Sequence, residues 1–285
     1  MNRIQQNLRK LDHWQQRHRL TAFTYAVVKR YGEDQAGYQA ALLTYYAFLS
    51  LFPLLLVLTT LTQVIATSHP GLQQDVIKSL TTNFPVLGSQ LSAHVHSLHR
   101  NGLALVTGLL FVFYGARGVA DVFRHGVNHV WGVPPREQPG FPASLFRSFM
   151  TMVIGGLGFV LASVALGFSA AAGHGMVLRL VALFANLLIL FGVFSLLFRL
   201  SLPGRVKFRE TRTAAVAAAC GLVVLQLAGG YLLRRELKSL DALYSYFALA
   251  LGLVFWIYLQ AQIIYYSAEI AVVKGRHLWP RTFTE

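Results

Sequence analysis

Near the C-terminus, Tyr258, Gln262, Tyr265 and Glu269 interrupt an otherwise apolar stretch at spacings of four, three and four residues. On an α-helix that spacing gathers all four side chains into one narrow arc. If the stretch lies in hydrocarbon, a carboxylate near the helix centre costs about 2.5–3.5 kcal/mol to insert, so its presence needs a reason. Two reasons fit the pattern. The arc lines a cavity or proton path with Glu269 as its proton or cation site, or it forms a hydrogen-bonded seam between helices that ends in an interface carboxylate.

A second polar arc lies near the start of the chain. Tyr45, Tyr46, Pro53, Thr60 and Gln63 fall within about a hundred degrees of helix circumference at 3.6 residues per turn. Pro53 frees a backbone carbonyl and kinks a helix, and a broken helix beside polar side chains is a device of transporters as well as a common structural feature. The two arcs together outline a candidate path between the first and last apolar stretches.

Other polar residues read more simply. Arg117 stands one helical turn before Asp121 and is expected to pair with it or to extend to the membrane interface. Arg179 and Trp131 belong to the same interface class, while Asn186 and Gln226 are lone amides suited to joining helices. His94, His96 and His99 have the spacing of a metallo-β-lactamase-type zinc motif, but Leu98 stands where that motif needs an aspartate. They remain a weak metal candidate. His125 and His129 lie one turn apart on a solvated helix face.

The elements that must position these residues follow from composition. The chain has 285 residues, 55% hydrophobic and 13% charged, with a mean hydropathy of +0.50. Soluble domains carry about 25% charged residues, so water is the wrong solvent for this surface. A hydrocarbon core about 30 Å thick takes roughly 20 apolar helical residues. Six runs qualify, at about 40–66, 102–120, 149–172, 177–198, 213–233 and 247–273. Backbone groups unpaired in lipid cost several kcal/mol each, so every run must be helical. Gly173-His174-Gly175-Met176 marks a tight turn that makes the third and fourth spans antiparallel neighbours.

The expected fold class is therefore all-α, a polytopic membrane bundle of six transmembrane helices over residues 40–273. Residues 1–39 form a basic N-terminal segment and 274–285 a short tail. Lys and Arg concentrate in these two ends and in the second and fourth connections, whereas only Lys78, Arg100, Arg234, Arg235 and Lys238 lie in the alternate connections. By the positive-inside rule both termini are cytoplasmic and the chain is a multi-pass protein of the inner or plasma membrane. The N-terminal segment, with Ile4, Leu8, Leu11 and Trp14 in helical register, suits an interfacial helix or a solvated tail. Residues 70–100 show two amphipathic patterns split by Pro85, and helical periodicity carries the second span inward over 119–131 before Pro134-Pro135.

These features exclude much. The formal charge of +14 fits anionic lipid headgroups at the inner face rather than nucleic acid. The single cysteine, Cys220, allows no internal disulfide. No nucleophile elbow, Walker loop or cysteine pair marks an enzyme, and no cofactor is expected. Gly155, Gly156, Gly158 and the Ser163-x3-Gly167-x3-Ala171 spacing permit close helix approach, within the bundle or in a homo-oligomer. Protein partners are not legible.

Four stretches carry a family resemblance. They are Ala41 to Leu55 (ALLTYYAFLSLFPLL), the segment from Tyr114-Gly115 to Asn128-His129-Val130-Trp131, Leu202-Pro203-Gly204-Arg205-Val206-Lys207-Phe208-Arg209, and Trp256-Ile257-Tyr258-Leu259 followed by Ala268-Glu269. In order and spacing the chain resembles the YihY/BrkB family of bacterial inner-membrane proteins, once mislabelled ribonuclease BN. It departs in having Ser267-Ala268-Glu269 where relatives look like Gly-Ala-Glu, and Arg212-Thr213-Ala214 in place of Pro-Gly-Ala. The resemblance implies a six-helix envelope protein linked to envelope integrity and suspected of transport, including lipid transport. It also leaves room for a non-transporting scaffold that recruits envelope partners. The ribonuclease label finds no metal site or acid–base pair in these residues.

Overall fold

The computed structural model describes residues 19–51, 102–171, 176–204, 206–236 and 242–281. Among these the secondary structure is helical, with no strand. The helices are α1 (Arg19–Glu33), α2 (36–51), α3 (Gly102–Val130), α4 (Ala143–Ala171), α5 (Met176–Ser201), α6 (Phe208–Glu236) and α7 (Ala242–Gly275), with a 3₁₀ turn at Pro135–Glu137.

Four stretches are long and apolar enough to cross a membrane: Ala143–Ala162, Met176–Ser201, Phe208–Gly229 and Ala250–Gly275. They match the third to sixth expected runs. The first run begins in α2 and continues outside the described residues, as do the segment 1–18, the outer segment 70–100 and the turn residues 173–175. The second run and the periodic stretch that follows it form one 29-residue helix, α3, whose apolar character is diluted by Arg117, Asp121 and Arg124.

Helices start earlier than the apolar runs suggest. Helix α4 begins at Ala143 rather than 149, and α6 at Phe208 rather than 213. Hydrophobicity marks only the lipid-immersed part, while hydrogen bonding carries each helix on through an interface populated by Arg147, Arg209 and Arg212. Helix α3 stops at a Schellman cap. Gly132 adopts φ +61°, its N–H donates to the His129 carbonyl at 2.8 Å, and Val133 N–H reaches the Asn128 carbonyl at 2.9 Å.

Helices α4 to α7 pack as successive neighbours, α3 lies on α4 and α7, and α1 lies on α7. The α6–α7 contact is close because one face of α6 is small: Ala214, Ala215, Ala218 and Ala219 are fully buried there, as are Ala261, Ala268 and Ala271 on α7. Asn186 of α5 donates to the Gln226 side chain of α6 at 2.8 Å, so the two amides join these helices. The outside of the bundle is apolar: Leu110, Leu157, Phe184, Val224 and Phe255 are each more than half exposed. An aromatic cluster lies where α3 and α5 end, with Trp131 and Phe123 each 5.9 Å from the Phe198 ring.

Candidate functional site

The ends of α1, α3, α5 and α7 and the starts of α4 and α6 meet at one pole of the bundle, here called the basic end. Glu269, on α7, is fully buried there. Its Oε2 accepts a hydrogen bond from Arg30 Nε of α1 at 3.0 Å. The same guanidinium stands 3.2 Å from Asp34 Oδ2 and donates to the Val130 carbonyl at 3.2 Å. Arg30 therefore meets two carboxylates and the C-terminal, partially negative end of α3. Asp34 is an electrostatic neighbour of Glu269, so two acids share one base. Glu269 Oε1 is buried with no hydrogen-bond partner among the described residues.

The rest of the last-span arc surrounds this group. Tyr31 of α1 stacks on Tyr266 with ring centroids 3.8 Å apart and planes 5° from parallel. Burial, with Tyr266 and Tyr258 close by, raises the Tyr31 phenol above its ordinary pKa, and Gln262 lies beside it. Tyr258 and Gln262 are half-buried, whereas Tyr265 is fully buried. The Tyr265 hydroxyl makes a long contact of 3.5 Å to the Val122 carbonyl of α3. Only a glycine opposite allows this, since a Cβ at Gly126 would stand 2.3 Å from that hydroxyl.

The early arc is placed differently. Tyr45 is 59% exposed and meets Tyr46 edge-on at 5.4 Å. The Tyr46 ring covers Gly118 of α3, and Ser50 covers Gly115. Gly118 and Gly126 are eight residues apart, about 12 Å along the helix. In the described residues the two arcs thus meet α3 at separate levels, while the carboxylate end of the last arc is met by α1. Pro53, Thr60 and Gln63, and the histidines 94, 96 and 99, lie outside the described residues.

A second set of ties holds the same pole. Trp131 Nε1 donates to Glu210 at 3.2 Å, and Arg276 donates to the Trp131 carbonyl at 2.7 Å. Asn128 donates to the Ser201 carbonyl at 2.9 Å, His129 lies 3.0 Å from the Asp34 carbonyl, and Arg281 pairs with Glu33. Asp121 is 3.5 Å from Arg117 and 3.3 Å from Arg124 and accepts from Ser148. Arg179 lies in the first turn of α5.

Sequence reading singled out Glu269 and passed over Arg30, Tyr31, Asp34 and Glu210. Arg30 and Asp34 carry an i,i+4 signal, yet Arg30 is one of several basic residues before the first span, each equally suited to headgroups.

An apolar exterior around helices tied at one charged pole defines a polytopic helical membrane protein. The chain matches the Virulence factor BrkB family over residues 27–280 and belongs to that family. The match takes in α1 from Val27 onward and all of α7, so it covers the whole Arg30–Asp34–Glu269 group. The chain is similar to the inner membrane protein YhjD of Escherichia coli, 25% identical over 280 residues, covering 89% of this chain and 81% of that protein. It is also 25% identical over 258 residues to a UPF0761 membrane protein of Chromohalobacter salexigens, covering 87% of this chain and 62% of that longer protein. No solved structure matches the chain.

Proposed function

We infer that this chain is a six-span inner-membrane transporter or lipid translocase with both termini in the cytoplasm, and that Glu269 is its proton or cation site at the inner end of a polar path. The observation that carries the reading is the fully buried Glu269, which among the described residues has one oxygen unpartnered and shares a single guanidinium with Asp34. A buried carboxylate that shares its base with a second acid is costly unless a proton or cation joins it. Tyr258, Gln262 and Tyr265 continue the path along α7; the first-span arc of Tyr45, Tyr46, Pro53, Thr60 and Gln63 belongs to it at a different level, since Tyr46 meets α3 at Gly118 and Tyr265 meets it at Gly126. A role in envelope integrity would follow from moving an envelope component. The reading assigns no catalytic step.

The topology has physical support. Arg30 touches both Glu269 and the Val130 carbonyl, so α1 and the end of α3 lie at the same pole, and the chain between them crosses an even number of times. Two crossings there and four from α4 to α7 make six.

The test is movement of lipid or solute by the purified protein in reconstituted vesicles. Glu269→Gln is expected to abolish a wild-type activity while the protein still assembles; unchanged activity removes Glu269 from the mechanism.

One observation favours a different reading. The Arg30–Glu269 pair at 3.0 Å also serves as a structural tie, which would suit a non-transporting scaffold recruiting envelope partners. In that case Glu269→Gln lowers the detergent melting temperature, wild type moves nothing across a broad substrate panel, and crosslinking in native membranes recovers a consistent partner.

A further inference from the structure

Where α5 turns into α6, the connection leaves a cavity of about 500 Å3 against the N-terminal turns of α4, a size typical of small-ligand pockets. Arg147 of α4, Arg199 of α5 and Lys207 at the head of α6 line it, over an apolar floor of Leu202, Val206 and Phe208. Among the described residues no ion pair engages any of these three cations. Arg199 lies instead 5.4 Å from the Phe208 ring centroid. The nearby acids are committed elsewhere, Asp121 to Arg117, Arg124 and Ser148, and Glu210 to Trp131.

Helix α6 adds to the same field. Its N-cap position is Lys207, whose side chain can accept nothing, and only Glu210 and Thr211 N–H groups turn back to the Lys207 carbonyl, at 2.9 and 3.5 Å. The earlier N–H groups stand at the positive end of a 29-residue helix. A further cation stands next door, where Arg124 is paired with Asp121 and also faces Arg147. Burial lowers the pKa of the Arg124 guanidinium, Asp121 opposes this, and Arg147 adds to the lowering.

We propose that this pocket binds a phosphate group, the chemistry shared by an anionic lipid headgroup and a free phosphate compound. Guanidinium forks and a helix N-terminus match phosphate oxygens, and the apolar floor accepts the carbon skeleton attached to them. The site does not depend on whether the chain transports anything.

The test uses the full chain purified in detergent and freed of lipid. Inorganic phosphate is titrated while thermal unfolding is followed. Separately, the chain is placed in nanodiscs of phosphatidylcholine and phosphatidylglycerol, and retained lipid is read by native mass spectrometry. The pocket variant is Arg147→Gln/Arg199→Gln/Lys207→Gln. The control, Arg209→Gln/Arg212→Gln/Lys274→Gln, removes three exposed cations at the same pole outside the pocket. Binding is expected to weaken at least about tenfold in the pocket variant and to persist in the control. Retention of phosphatidylglycerol without a response to inorganic phosphate assigns the headgroup, and a response to inorganic phosphate assigns the free compound. Should the triple variant melt early, Arg147→Gln and Lys207→Gln singly carry the same comparison. No binding in either arm, or equal loss in the control, overturns the proposal.

Discussion

Arg30 compensates two carboxylates and a helix terminus at once, so the three groups are not interchangeable in energetic terms. Removing the base leaves Glu269, fully buried, and Asp34, a quarter exposed, without a cationic partner among the described residues. Breaking a buried ion pair from one side costs about 3–5 kcal/mol, and Arg30→Gln is expected to fall there. Glu269→Gln should cost less, about 1–2 kcal/mol, because the amide oxygen still accepts from Arg30 and Asp34 still balances it. In the double variant Asp34 alone is uncompensated and can reach water, so the pair should be more stable than Arg30→Gln by itself. Unfolding free energies in detergent, combined as a double-mutant cycle, check this ordering. A loss below about 1 kcal/mol for Arg30→Gln would mean that the contact contributes little. At this scale Glu269 was legible, because a carboxylate in an apolar run announces itself and helical spacing fixes its arc. Its partner was not, because periodicity says which face of a helix is polar and nothing about which helix covers that face.

Helix contacts turn on a few small residues, and the structure separates those that matter from those that do not. A Cβ at Gly158 of α4 would stand 2.5 Å from a Val193 methyl of α5, whereas at Gly155 and Gly156 it would meet nothing within 4 Å. Gly158→Ala is therefore expected to destabilise by about 1–3 kcal/mol, as overpacking does. Gly155→Ala and Gly156→Ala should be neutral, or stabilising by up to about 1 kcal/mol through helix propensity. Val193→Ala combined with Gly158→Ala removes the clashing methyls and should recover much of the loss. Melting temperatures of the four variants in one detergent test the set, and equal effects at all three glycines would contradict the packing described. Sequence reading found this glycine cluster but could not rank its members, since hydropathy does not register which flank of α4 meets α5. The fully buried alanine face of α6 went unnoticed for a related reason. Ala214, Ala215, Ala218 and Ala219 look like ordinary apolar filler until a neighbouring helix is laid against them. Helices α4 and α6 begin six and five residues before the apolar runs they carry, because the interface, rather than the hydrocarbon, hosts their first turns.

For the whole molecule, the proposed topology turns on which way up the bundle sits. The described contacts already tie α1, the C-terminal end of α3, the N-terminal ends of α4 and α6 and the C-terminal end of α7 to one pole. Each of the four spans from α4 to α7 reverses direction, which is consistent with Arg276 returning to the Trp131 carbonyl. Orientation then reduces to a single choice for that pole, and charge supplies the expectation to test. Arg30, Arg124, Arg147, Arg199, Lys207, Arg209, Arg212, Lys274 and Arg276 all gather there, and moving one charge across a membrane potential is worth about 2.3 kcal/mol per 100 mV. The pole should therefore face the cytoplasm, with Ser97, in the outer connection, on the opposite side. Cys220, exposed on the flank of α6, is the chain's one thiol, and Cys220→Ala gives a background in which single cysteines can be read. Ser97→Cys is expected to react with a membrane-impermeant maleimide in intact spheroplasts. Lys274→Cys, exposed at the basic end, should react only after lysis. Labelling of Lys274→Cys in intact spheroplasts would turn the molecule over. The Glu269 group and the phosphate pocket would then open to the outside, and both would have to be sought with ligands from that compartment.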